Sequence, residues 1–92
     1  MAHIKYTKHF LNKLEDLFSE SDHHLRYEKG NFNSGYCVLK SKKIIIVNKY
    51  YPLEGKINCL ADILREVSID VSNLSDKNKK LYYEMTDTQL KL

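Results

Sequence analysis

Four histidines (His3, His9, His23 and His24), two cysteines (Cys37 and Cys59) and seven tyrosines are the side chains with which this sequence could do chemistry. A zinc site needs three or four His, Cys or carboxylate ligands at set spacings. The sequence holds no Cys-x-x-Cys, no His-x-x-x-His and no His-Glu-x-x-His, and His23 and His24 point to opposite sides if extended. The expectation is therefore a chain with no native metal or other cofactor. Cys37 follows the glycine turn that ends at Gly35, where a side chain can be presented. To act as a nucleophile its thiol would need a nearby base or cation to lower its pKa, and His23, His24 or Arg26 could supply one across a hairpin. No catalytic signature accompanies them, so Cys37 reads better as a small buried hydrophobe in a strand. Cys59 reads the same way, because it falls within the apolar arc of a helix.

Gly30-Asn31-Phe32-Asn33-Ser34-Gly35 superficially suggests a phosphate loop. It lacks the Gly-Lys-Ser/Thr of a P-loop and the third glycine of a dinucleotide fingerprint, and it reads as a turn. The tyrosines carry a more open alternative. Tyr27, Tyr36, Tyr50 and Tyr51 lie on or beside expected strands and are interleaved with Lys40, Lys42, Lys43 and Lys49. Such a face could stack single-stranded nucleic acid, although tyrosines equally serve as core and interface residues with a wet hydroxyl.

The elements that must position these groups follow from periodicity. Phe10, Leu11, Leu14, Leu17 and Phe18 recur at the spacing of one helical face, and Thr7 can cap that helix. Leu25 and Tyr27 alternate with charged residues, as a half-buried strand requires. Tyr36 to Lys40 and Lys43 to Lys49 are strand-like, separated by Ser41-Lys42. The run Ile44 to Val47 has no alternation, which implies cover on both faces. Pro52 suits the first position of a second helix running to about Val67. That helix carries a wide arc of Leu53, Ile57, Leu60, Ala61, Leu64 and Val67, broadened by Cys59 and Ile63. A wide arc needs two neighbours: the sheet with the first helix, or the sheet with a second copy of the chain. Ile69 to Val71 reads as a short extended piece. Ser75 or Asp76 caps a last helix through about Met85, and Thr86 to Leu92 should fray.

Composition sets the outer limits. With 92 residues, 42% hydrophobic and 29% charged, the chain is expected to form a single domain over residues 1–92. The net charge is only +3, and of 15 cationic residues just Arg26 and Arg65 are Arg, a weak signature for nucleic acid. No apolar run reaches signal-peptide or membrane-spanning length, and two cysteines make no disulfide framework, so a cytoplasmic protein without membrane contact is expected.

Two family resemblances attach to particular residues. The stretch from Arg26 through Gly30-Asn31-Phe32-Asn33-Ser34-Gly35-Tyr36-Cys37 to Ile63-Leu64-Arg65 resembles a small family of uncharacterised bacterial proteins. They share Gly-x-Phe-x-Ser-Gly-x-Cys, a β-branched strand ending in Val-Asn or Leu-Asn, and a Pro-led helix. The resemblance implies a fold layout and no activity. Separately, Ile44-Ile45-Ile46-Val47-Asn48 followed by a helix with Leu60-Ala61 resembles the strand and active helix of ImmA/IrrE-type zinc peptidases. Where that family has His-Glu-x-x-His, this chain has Asp62, Ile63 and Glu66, so the resemblance implies at most a non-enzymatic relative.

The sequence thus predicts an α+β domain: an N-terminal helix, a three-stranded antiparallel sheet, a helix packed on the sheet and a short C-terminal helix. It predicts no enzyme. The expected role is a small protein-interaction or regulatory module, with a nucleic-acid-binding Tyr/Lys face as the alternative. A homodimer is expected, with Tyr27, Tyr36, Tyr50, Tyr51, Cys59 and Ile63 as binding or interface residues, and a different protein partner is compatible with the same reading.

Overall fold

The computed structural model describes residues 4–29 and 35–87. Helix α1 spans Lys8–Glu20, strands β1, β2 and β3 span His24–Glu28, Tyr36–Leu39 and Ile44–Asn48, helix α2 spans Leu53–Glu66, a 3-10 turn spans Val71–Asn73 and helix α3 spans Asp76–Asp87. The protein is an α+β fold, as its periodicities imply.

Each helix boundary has a local cause. Thr7 Oγ1 accepts the Phe10 N–H at 3.1 Å, satisfying one of the donors that a helix start leaves unpaired. At the other end of α1 the Ser21 hydroxyl donates to the Phe18 carbonyl at 2.7 Å. Pro52 occupies the capping position of α2 rather than its first turn, and its carbonyl accepts the Lys56 N–H. Ser75 begins α3, its hydroxyl accepting the Asn78 N–H at 3.4 Å. Val71 starts a 3-10 turn instead of extending a strand, because the Asp70 carboxylate accepts from the Ser72 N–H and closes the chain locally.

The sheet departs from the expected arrangement. Its order is β1-β3-β2, with β2 antiparallel to β3 and β1 parallel to β3. Only β2 and β3 form a hairpin, through a turn in which Lys43 takes a positive φ of 55°. The expected β1–β2 hairpin is not formed, since β3 lies between the two strands. The glycine turn expected between β1 and β2 falls on residues 30–34, which lie outside the described residues.

Register assigns the two faces. Leu25 pairs with Ile45 and Tyr27 with Val47, while Val38 and Tyr36 pair with the same two residues from the other side. These six side chains form the inner face, where Ile45 and Val47 are wholly buried. Both helices that reach the sheet do so there. Tyr27 donates its hydroxyl to Glu15 of α1, and Tyr36 donates to Glu66 of α2. Leu14, Leu17 and Phe18 of α1 and Ile57, Leu60 and Ile63 of α2 complete a core with no solvent exposure. Burying a side chain such as Phe18 contributes about 1.5–3 kcal/mol. The α3 helix closes the other side of the helical layer with Leu81 and Met85.

The wide apolar arc of α2 therefore finds its neighbours inside the chain: α1, α3 and the sheet. Ile63 is wholly buried and Cys59 is 5% exposed, so neither presents a surface to a second copy. The expected cover on both faces of β3 is likewise corrected. Burial alternates along the strand, with Ile44 and Ile46 only half-buried on the outer face.

Candidate functional site

The outer face of the sheet is the surface that the fold leaves open. Cys37 pairs with Ile46 and Leu39 with Ile44, so four apolar side chains adjoin on β2 and β3. Leu39 is 38% exposed, and Cys37, Ile44 and Ile46 are half-buried outside the main core. Among the described residues no helix packs on this face. Its border on β1 is charged: Arg26 and Glu28 form an ion pair at 2.6 Å beside Ile46 and Asn48. The result is an apolar strip with both signs of charge along one side. Aromatic residues are missing from it among the described residues, because the strand alternation that turns Leu25 and Val38 inward also turns Tyr27 and Tyr36 inward.

The four tyrosines are consequently not brought together. Tyr27 is half-buried, with the Lys56 ammonium 5.3 Å from its ring centroid, and burial together with the Glu15 carboxylate pushes its hydroxyl far above the ordinary tyrosine range. Burial and the nearby Glu66 carboxylate raise Tyr36 as well. Tyr50 is 67% exposed under the Lys49 ammonium. Tyr51 packs edgewise between Gly35 and Gly55, and a Cβ on Gly55 would lie 2.7 Å from its ring. That placement explains both glycines, and Gly35 also needs its positive φ of 85°.

A polar cluster that the sequence reading did not foresee lies where α1 gives way to β1. His23, 7% exposed, has Nδ1 3.0 Å from Asp22 Oδ1, and Lys43 Nζ donates to Asp22 Oδ2 at 2.7 Å. The Lys43 hydrogen bond holds the Asp22 carboxyl below its ordinary range. The adjacent Ser21 hydroxyl donates to the Phe18 carbonyl at 2.7 Å, lies 3.3 Å from the His23 carbonyl, and accepts the His23 N–H at 3.1 Å. The signal available in sequence was only the adjacency of Asp22 and His23. Their third member, Lys43, is 21 residues away and arrives through the parallel β1–β3 pairing.

Cys37 is separated from Arg26 by β3 and does not face β1 directly, so the base expected across a hairpin is not at hand. Burial raises the Cys59 thiol, the opposite of activation. Asp62 pairs with Arg65 at 3.2 Å, Ile63 is in the core and Glu66 accepts from Tyr36, so these three positions do not converge. Among the described residues no three His, Cys, Asp or Glu side chains are grouped to hold a metal ion. His3 lies outside the described residues. No described helix is long and apolar enough to cross a membrane. Comparisons with protein-family models, curated proteins and solved structures find no match to this chain.

Proposed function

We propose that this chain is a non-catalytic protein-interaction module that pairs with a second copy of itself through the open face of its sheet. The observation that carries the reading is the half-exposed strip of Cys37, Leu39, Ile44 and Ile46 beside the Arg26–Glu28 pair. A twofold partner suits it, because a surface with both charge signs along an apolar strip is complementary to its own copy. Arg26 of one copy then meets Glu28 of the other around the apolar centre.

The size of the face sets the strength. Two strands of five residues and one of four span about 14 Å by 17 Å, well short of the roughly 800 Å² per partner of a stable interface. Association is thus reversible and micromolar or weaker.

Sedimentation from about 5 to 500 μM, a range that brackets such a dissociation constant, tests this. The wild-type chain should shift from monomer to dimer, and Ile46→Lys should remain monomeric and folded, losing under about 1.5 kcal/mol in urea unfolding. A wild-type chain that stays monomeric throughout, or an I46K chain that dimerises equally well, overturns the proposal.

A further inference from the structure

We propose that the cleft between α1 and the free edge of β1 binds an extended peptide segment as a fourth strand, reading an apolar residue and a Lys or Arg two positions apart.

Strand β1 is an edge strand, with β3 on one side only. The ladder directs alternate residues of β1 toward β3. The His24 N–H bonds to the Lys43 carbonyl and the Glu28 carbonyl accepts the Lys49 N–H, so His24, Arg26 and Glu28 spend their backbone groups on β3. Leu25 and Tyr27 therefore point N–H and C=O outward, and no strand lies beyond them among the described residues. These four backbone groups repeat at the spacing of an extended chain and fit another extended backbone.

A cleft of about 690 Å³ adjoins this edge, lined by Glu15 and Ser19 on the helix side and by Leu25, Tyr27, Arg26 and Ile44 on the strand side, the Arg26 charge being paired with Glu28. That volume lies within the roughly 300–1,000 Å³ usual for ligand sites. The chain reverses at Ser21 to His23, so α1 returns along β1: Ser21 sits beside His23, and Glu15 meets Tyr27. An added strand is consequently flanked by the helix along its length.

The chemistry of the two ends differs. At Leu25 the wall is half-buried and apolar. At Tyr27 it carries the Glu15 carboxylate, of which Tyr27 occupies Oε2 and leaves Oε1 for a cation. Leu25 and Tyr27 share one face of β1, and residues two apart on an added strand match that spacing of about 6.6 Å. An apolar side chain against Leu25 and a Lys or Arg ammonium or guanidinium at Glu15 follow from charge complementarity.

This extends the interaction reading to a second, adjoining surface: the cleft lies at the β1 edge and shares Arg26 and Ile44 with the dimer face, while Ile46 lies outside it. The two separate experimentally: the I46K chain should keep peptide binding whether or not the wild-type chain dimerises.

The test selects seven-residue peptides from a random phage-displayed library on the full chain and measures synthetic versions by fluorescence anisotropy. Selected peptides should share a core in which an apolar residue and a Lys or Arg are separated by one position. Replacing that Lys by norleucine should weaken binding about tenfold in the wild-type chain and leave it nearly unchanged in Glu15→Gln, which retains an acceptor for Tyr27. In hydrogen exchange the Leu25 and Tyr27 amides should gain protection when peptide is bound, and N-methylation of the peptide core should abolish binding. Failure to enrich a common core, equal binding by N-methylated peptides, or protection confined to residues other than β1 would each overturn the proposal.

Discussion

Asn78 ties the first and last helices together, and its removal offers the sharpest test of how they are joined. It is 1% exposed, and its side-chain amide donates to Asp16 Oδ2 at 3.0 Å and to Glu20 Oε1 at 2.8 Å. The same Glu20 oxygen accepts the Ser75 N–H at 2.8 Å, so a carboxylate from the end of α1 satisfies an unpaired donor at the start of α3. Asn78→Ala removes both amide bonds. A hydrogen bond to a charged group contributes about 1.5–3 kcal/mol, and the low end applies because both carboxylates can turn to water. Against a loss of about 3 kcal/mol stands the better helix propensity of Ala, about 0.6 kcal/mol. The expected net loss is about 2.4 kcal/mol, or roughly 10–15 °C in Tm for a domain of this size.

Urea unfolding followed by far-UV circular dichroism measures the loss directly. Asn78→Asp sharpens the test, since the shape is kept while a donor becomes a third carboxylate beside Asp16 and Glu20. Like-charge repulsion raises the folded-state pKa of that new carboxyl above its unfolded value, so its penalty is full at pH 7 and shrinks as pH falls toward 4 and protonation restores a donor. A loss below about 0.5 kcal/mol for N78A, within the range of a neutral surface change, would refute the reasoning. So would an N78D deficit that does not change with pH.

Ile63→Glu should unfold the chain, because the position is wholly buried; recovery of a folded I63E monomer by circular dichroism would contradict the internal packing of α2. Consecutive positions of β3 should differ sharply, with Ile45→Ala losing about 2–5 kcal/mol in urea unfolding and Ile46→Ala under about 1.5 kcal/mol. Gly35→Ala should destabilise by more than about 1 kcal/mol, since it forces a Cβ into a left-handed φ and against the Tyr51 ring, and thermal melts will show it. Acid should weaken the α1–α3 joint in a defined window. The Ser75 N–H, followed by the Asn78 amide, holds the Glu20 carboxyl below its ordinary 4.5, so its stabilisation is present above that pH and is lost as pH falls through the lower folded value. A Glu20→Gln chain should therefore show a flatter stability profile below pH 4.5 than the wild type, measured by urea midpoints across the acid range.

Local periodicity was enough for the helices. The i, i+3, i+4 recurrence of Phe10, Leu14 and Phe18, and of Ile57, Leu60 and Leu64, names the buried stripes because helix geometry depends only on residues within one or two turns. Thr7 was legible as a cap for the same reason, and the α3 cap was narrowed to Ser75 or Asp76, of which Ser75 is the one that accepts the Asn78 N–H. Alternation likewise put Leu25 and Tyr27 on one face of β1. What the sequence left undetermined was which strand pairs with which. A strand's hydrogen bonds go to a distant segment, and the short connections in this chain are compatible with either β1 or β3 beside β2. The insertion of β3 between β1 and β2 is a tertiary outcome, and it separates Cys37 from β1 and brings Lys43 to Asp22. The run Ile44-Ile45-Ile46-Val47 carried no alternation to say which side faces inward. Only the placement of α1 and α2 on one side of the sheet buries Ile45 and Val47, and leaves Ile44 and Ile46 at the open face. The joint of Asn78 with Glu20 spans 58 residues and was equally unreadable, because a buried polar contact is set by where two helices meet and not by any local repeat.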